Sequence, residues 1–341
     1  MRAFITGVAG PALTGEERQF LKDAQPWGLI LFRRNATDPA SLRRLIDEFR
    51  TILGRQAPVL VDQEGGRVQR LGPPHWPNYP PGAAYGALYD RDREMGLAAA
   101  KLGARLIAAD LAGLGIDVDC APLADLPAAG ADPIIGDRAY GRTPEKVAAI
   151  AGAIAAGLLE GGVLPVLKHI PGHGRATADS HERLPVVSAD RATLDVTDFA
   201  AFHPLKALPL GMTAHVVFSA IDPVAPATTS MIIVRDVIRD SIGFSGLLMS
   251  DDISMGALSG GLGERTKAAI TAGCDMILHC NGKMAEMLAV AAAAPQLAGD
   301  AARRAAAALA MRRPAAPIEL AAARADFFKL VAGVQPARGS A

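Results

Sequence analysis

Short apolar runs alternate along this chain with longer stretches of helical periodicity. The runs occupy 4–6, 28–32, 58–62, 116–120, 163–169, 212–218, 247–251 and 275–280. Each is strand-sized, and the turn-forming residues around them favour buried strands over helices. Between them, 40–53 (ASLRRLIDEFRTIL) repeats apolar residues at three- and four-residue spacing, as an amphipathic helix must. A second long stretch, EKVAAIAGAIAAGLLEGG, fills 145–162. Strand then helix, eight times, predicts an α/β fold, a single-domain (β/α)8 TIM barrel, with a doubly wound open sheet as the alternative. No Pro/Ser linker and no obvious repeat divides the sequence. One domain over 1–341 is therefore expected, with a barrel core to about residue 315 and a C-terminal helical tail.

The residues at and just past the strand ends add to this picture. They are Arg33 and Arg34, Asp62, Asp125, Lys168 and His169, His215, Asp251 and Asn281. In a barrel every strand's C-terminal end opens on the same face, where active sites are built. Apolar strands that repeatedly end in charge on one rim describe a concave polar pocket better than a packing surface.

Composition removes several function classes. The 341 residues carry 35 Lys and Arg against 35 Asp and Glu. That balance creates no field to attract nucleic acid or an anionic membrane, so neither is expected as a partner. A monomer is expected. Cys120, Cys274 and Cys280 have no paired spacing, which argues against a disulfide framework and fits a reducing compartment. Cys274 and Cys280 flank an apolar run and are expected to be small core residues. Pro and Gly interrupt the N-terminus before a signal-peptide core could form. No window approaches about 18 uninterrupted apolar residues. Arg303, Arg304, Arg312 and Arg313 interrupt the Ala-rich stretch after Leu288, which reads as an Ala-rich helix with an Arg-bearing face. A cytoplasmic location is the expectation.

The candidate chemistry is densest at 168–181, KHIPGHGRATADSH. Lys168, His169, His173, Asp179 and His181 all lie on it, and Pro171, Gly172 and Gly174 keep it from being regular. Singly, each has an ordinary structural reading; together on one broken loop at a strand's end they favour a site. His169 and His173 have metal-ligand spacing for a helix, but Pro171 and Gly172 lie between them, so no metal is expected. Downstream of the third strand, VDQEGGRVQRL (61–71) offers Asp62, which could bind a ligand or pair with Arg67 or Arg70, and Gly65-Gly66, which reads as a tight turn. Arg67 and Arg70 would share a face if the segment were helical. LLMSDDISMGAL (247–258) puts two adjacent carboxylates at the end of the seventh strand. Successive strand residues face opposite ways, so only one is expected to act as a nucleophile; the residues themselves do not say which.

The run KHIPGHG…T..DSH resembles the signature loop of the β-N-acetylglucosaminidases of glycoside hydrolase family 3. Those enzymes usually carry Phe where this chain has Ile170, and commonly Asp or Ser where it has Arg175. DQEGGRVQRL, GDRAY (136–140) and SDDISM (250–255) resemble further motifs of the same family. The resemblance implies that Asp62, Arg70, Arg138, Lys168 and His169 bind an N-acetylglucosamine ring. It assigns the nucleophile to Asp251 and the acid/base role to His181, with Asp179 orienting the imidazole. An imidazole suits that role because it titrates near neutral pH, and a carboxylate on one ring nitrogen fixes its tautomer. The implied activity is a retaining exo-β-N-acetylglucosaminidase without cofactor. Its implied substrates are amino-sugar muropeptides, GlcNAc-1,6-anhydro-MurNAc and its peptides, met in cell-wall recycling. Two other classes stand beside it: a barrel lyase or aldolase with Lys168 as Schiff-base former, and a catalytically idle sugar-binding protein.

Overall fold

Every apolar run of the sequence becomes a strand of one closed parallel barrel. The strands are β1 (Arg2–Thr6), β2 (Pro26–Leu31), β3 (Val59–Val61), β4 (Val118–Asp119), β5 (Leu164–Ile170), β6 (Leu210–Thr213), β7 (Leu247–Asp252) and β8 (Met276–His279). Each pairs with its neighbours in sequence, and β8 returns to β1, with Ile277 opposite Phe4 and Leu278 opposite Ile5. The fold is a single-domain (β/α)8 TIM barrel, as the alternation predicts; the open-sheet alternative falls with the closure. This computed structural model describes residues 1–334, so 335–341 of the expected domain lie outside the described residues.

The runs are apolar on both faces because the core has two shells. Inside the barrel lie Ile5, Ile30, Leu60, Val118, Val166, Met212, Met249 and Leu278. Between strands and helices lie their neighbours, including Phe4, Leu29, Leu31, Val59, Val61, Leu167, Leu248 and Ile277. Strand side chains alternate between the two, so neither face of a strand meets water. The surrounding helices follow local rules. In Pro39–Leu53, Asp38 caps the first turn by accepting the N–H groups of Ala40 and Ser41, both at 2.9 Å. Pro39 occupies the first turn, where no N–H is required, and Gly54 ends the helix at φ 64°. Leu42, Leu45, Ile46, Phe49 and Leu53 form its buried stripe.

The Ala-rich region departs from expectation. It is not one helix but two, Met284–Ala293 and Gly299–Ala310. Pro295 cannot continue the first, and Gly299 bends at φ 56° into the second. The Arg face is not simply solvated. Arg304 binds Asp275 at 2.8 Å and Arg312 binds Asp117 at 2.5 Å, tying the helical tail to the starts of β8 and β4. Among the described residues, no helix is long and apolar enough to cross a membrane.

A last helix, Leu320–Val331, packs on the barrel's flank through Phe327, which is fully buried. Its ring lies 6.1 Å from Tyr79 and 6.5 Å from Tyr85, centroid to centroid. Gly103 makes room: a Cβ there would stand 2.5 Å from the Tyr85 hydroxyl and 2.7 Å from the Phe327 ring. Arg324 pairs with Asp110, which also accepts the Tyr79 hydroxyl at 2.6 Å. Phe327→Ala should therefore lower the unfolding free energy by about 3–5 kcal/mol. Chemical denaturation should register that as a lower midpoint at an unchanged slope.

Candidate active site

At the C-terminal mouth of the barrel, a cavity of about 300 Å³ is floored by the ends of the strands. Its polar wall starts at β3. Asp62 follows that strand, and the chain then folds into a two-stranded antiparallel ribbon, Gln63–Gly65 against Val68–Gln69. The Gly65-Gly66 turn needs glycine: φ is +91° and +58°, and a Cβ on Gly65 would lie 2.3 Å from the Pro80 carbonyl oxygen. Gln63 braces the ribbon, accepting the N–H groups of Arg70 and Leu71 at 3.0 Å each. The segment is thus a hairpin, not the helix on which Arg67 and Arg70 would share a face. Arg70 turns inward to Asp62 (3.0 Å), while Arg67 reaches the lip of the cavity and pairs with Asp137 (3.2 Å).

Lys168 emerges from β5 into this wall. Its Nζ lies 3.0 Å from Asp62 and 2.6 Å from Glu64, and Glu64 takes a two-pronged contact from Arg138 at 2.8 and 2.9 Å. Burial alone would raise the Glu64 carboxyl, but Arg138 and Lys168 outweigh it and hold the group at about 2. Asp62 is likewise driven well below the ordinary carboxylate range by Lys168 and Arg70, against the effect of its burial. Burial would lower Lys168, yet the two carboxylates raise it overall. The wall therefore presents fixed ammonium, guanidinium and carboxylate groups, donors and acceptors that suit vicinal hydroxyls. It also makes Lys168 a poor Schiff-base former, which needs a neutral amine. Asp119, at the end of β4, is pushed well above the usual value by burial.

His169 borders the cavity with its Nδ1 held 2.7 Å from Asp125, a fully buried carboxylate. Burial would raise Asp125; His169 and His173 hold it at about 2. Asp125 also accepts the His173 N–H at 2.7 Å. The His173 ring, pushed down to about 4 by burial and by His169, meets the Ser180 hydroxyl at 3.0 Å. Beyond it the loop lies over the cavity. Asp179 Oδ1 accepts both the His181 N–H (2.8 Å) and its Nδ1–H (2.7 Å), which fixes the ring and leaves Nε2 for a ligand. Slight burial opposes the ionisation of Asp179, but the bonds from His181 lower its carboxyl overall. Gly256 and Ala257, just past β7, donate to the carbonyls of His181 and Ser180 at 3.2 and 3.1 Å.

At the end of β7 both carboxylates border the cavity, because the register shifts between Met249 and Asp252. Strict alternation, which would point them apart, does not hold there. Their bonding separates them instead. Asp252 accepts the Ser254 N–H (3.0 Å) and hydroxyl (2.7 Å) and the Cys280 N–H (3.2 Å). Asp251 accepts only the Asp252 N–H, at 2.8 Å on Oδ1, among the described residues. Burial would raise its carboxyl; His215, His169, that N–H and Lys168 bring it down overall, favouring the carboxylate. His215 itself bonds Thr228 (2.7 Å) and the Asp252 carbonyl (3.0 Å), behind the site.

The structure thus gathers Asp62, Arg70, Arg138, Lys168, His169, His181 and Asp251 around one cavity, with Asp179 behind His181. Other rim residues serve as struts: Arg34 binds the carbonyls of Val8 and Cys280, and Asn281 binds Glu286. Cys280 is not a core residue but borders the cavity, because it falls one position past the end of β8. Glu64 and the supporting role of Asp125 were missed. Glu64 had a signal, since it stands two residues from Asp62 and an extended chain puts such residues on one side.

Known proteins resemble this chain over most of its length. The family described as "Glycosyl hydrolase family 3 N terminal domain" matches residues 5–308. A beta-hexosaminidase of Alkalilimnicola ehrlichii is 41% identical over 81% of this chain and 80% of its own length. NagZ of Neisseria gonorrhoeae, solved in complex with N-trifluoroacetyl-D-glucosamine, superposes with a TM-score of 0.84 at 32% identity, covering 98% of this chain and 97% of that one. A glycoside hydrolase family 3 beta-N-acetylglucosaminidase of Paenibacillus sp. gives a TM-score of 0.85 at 29% identity; the alignment covers 96% of this chain and 66% of that longer protein.

The wall also sets an acid limit on stability. Glu64 and Asp125 are held at about 2 in the folded chain, against about 4 for free carboxyls. Depressed values stabilise above the unfolded value, and that contribution disappears as pH falls through the folded one. The melting temperature should therefore fall steeply between about pH 4 and pH 2. In Glu64→Gln it should start lower at neutral pH and fall less steeply, as a pH series of thermal melts would record.

Proposed function

The chain belongs to glycosyl hydrolase family 3, and on that premise we propose that it is a retaining exo-β-N-acetylglucosaminidase acting through a covalent glycosyl-Asp251 intermediate. That it is a glycoside hydrolase of the β-N-acetylhexosaminidase type follows from its relatives. What carries the finer reading is the meeting of Asp251 and His181 on one cavity, one with a carboxylate oxygen uncommitted and the other with Nε2 uncommitted among the described residues. The other carboxylates there are already engaged: Asp62 by Lys168 and Arg70, Asp252 by Ser254 and the Cys280 N–H. His173 is buried, and His169 is bound to Asp125. His181 is thus the exposed group free to carry a proton.

In the proposed reaction Asp62, Arg70, Arg138, Lys168 and His169 hold the terminal, non-reducing ring. A carboxylate oxygen of Asp251 bonds to the anomeric carbon as the bond to the leaving oxygen breaks. That oxygen takes the Nε2 proton of the His181 imidazolium, while Asp179 keeps the Nδ1 proton in place. His181, now neutral, then takes a proton from water as its oxygen displaces Asp251. We assign the substrate to GlcNAc-1,6-anhydro-MurNAc and its peptides, the location to the cytoplasm, and the working unit to a monomer whose barrel and helical tail form one catalytic domain.

Two displacements at one carbon retain its configuration, so NMR of the earliest product should show β-N-acetylglucosamine. An α-anomer appearing first would remove Asp251 from the nucleophile role. Asp251→Asn should abolish turnover in a folded protein, and Asp252→Asn should keep far more. His181→Ala should slow hydrolysis of a sugar-alcohol leaving group about 100- to 10,000-fold. With a nitrophenyl leaving group it should instead show a burst and then slow turnover, which azide accelerates. Equal losses on both substrates with no burst would exclude it as acid/base.

A further inference from the structure

Arg175 does not border the cavity, yet among the described residues it is the last side chain hydrogen-bonded to the barrel's body before Asp179 and His181. Its Nε donates to Asp198 Oδ2 at 2.6 Å, and its Nη2 donates to the Thr197 hydroxyl at 3.0 Å. The anchor is rigid. Asp198 is 1% exposed and opens a tight turn, Phe199–Ala201, in which Phe199 and Ala201 are fully buried, as is Phe202 just after it. Asp198 also lies beneath Gly172, where a Cβ would stand 3.3 Å from the Asp198 Cβ. On the other side the backbone is laced to the loop after β4: Ala128 donates to the Gly174 carbonyl at 3.0 Å, and Asp132 to that of Ala176 at 2.8 Å. Past Ala176, among the described residues, the next ties to the body are the bonds to Ser180 and the His181 carbonyl. The Arg175 clamp and the bond to the Ala176 carbonyl therefore hold the near end of the arm that leads to the Asp179–His181 pair.

We infer that Arg175 is a positioning residue, whose clamp on Asp198 sets where His181 stands over the cavity and so governs proton delivery to the leaving oxygen. The inference rests on the acid/base role of His181. A guanidinium suits the task because its rigid fork engages a carboxylate and a hydroxyl at once, which fixes direction as well as distance. Arg175 touches neither the Asp251 side of the cavity nor the polar wall, so it acts on proton transfer and not on attack at the anomeric carbon.

The test uses the full chain with Arg175→Ala, Arg175→Lys, Asp198→Asn, His181→Ala and the Arg175→Ala/His181→Ala double variant. Two substrates are compared, N,N′-diacetylchitobiose and 4-nitrophenyl N-acetyl-β-glucosaminide. Arg175→Ala should lose about tenfold in kcat on the disaccharide with little change in KM, below the full loss of an acid. Its nitrophenol burst rate should stay within about twofold of the parent. Arg175→Lys should recover part of the loss, and Asp198→Asn, which keeps the side-chain shape, should reproduce it if Arg175→Ala folds poorly. On the His181→Ala background, removing Arg175 should cost nothing further. Losses that multiply in the double variant, a burst rate that falls in step with the disaccharide rate, or parental kinetics in both Arg175→Ala and Asp198→Asn would each overturn the inference. If His181→Ala shows no burst and equal losses on both substrates, the acid/base reading fails first and takes this inference with it. If His181→Ala behaves as proposed, a failure belongs to Arg175 alone.

Discussion

A buried lysine between two carboxylates organises this molecule. Lys168 leaves β5 nearly without solvent contact, an unfavourable place for an ammonium unless charge meets it. Asp62 from β3 and Glu64 from the hairpin meet it, and Arg70 and Arg138 complete the cluster. Three segments distant in sequence are thereby fixed to one another at the mouth of the barrel. Such clusters are poor sources of net stability, because desolvation offsets most of the attraction. What this one supplies is placement: groups that would wander in water are held at set positions toward the cavity, with donors and acceptors already paid for in folding.

The two halves of the site are built on different principles. The polar wall is buried, ion-paired and backed by strands. The Asp179–His181 pair rides on a loop whose imidazole is largely exposed, and its hydrogen bonds are to its own carboxylate and to the segment after β7. On the proposed reaction, ligand orientation depends on the rigid part, and proton traffic on the part with the fewest anchors. Gly256 belongs to this division. A Cβ there would stand 2.8 Å from the carbonyl oxygens of His181 and Glu182, so the loop comes to rest only because that residue has no side chain.

The barrel was legible because a closed parallel sheet buries both faces of every strand, so each strand leaves an unbroken apolar run in the sequence. The cavity residues were legible because they stand where those runs stop. Asp251 against Asp252 was not settled by alternation, since a register shift brings both to the cavity; hydrogen bonding distinguishes them, and that depends on Ser254 and Cys280. Glu64 escaped because it looked like part of a turn, and Asp125 because nothing local ties it to His169, 44 positions on. The Ala-rich stretch was misread as a single helix although Pro295 marks its division. Composition governs helix propensity, but a single proline sets the boundary.

The contact between the last helix and the β3 loop bears on how the protein is made. Phe327 packs on Tyr79, and the Tyr79 N–H is held by Gln69, in the hairpin that leads to Arg70. The cavity wall therefore leans, through two side chains, on a segment that leaves the ribosome long after the wall itself. β1 must also wait, unpaired on one edge, until β8 emerges to close the ring. A growing chain thus holds an open sheet edge until β8 emerges, and an unsupported pocket until the helix bearing Phe327 follows.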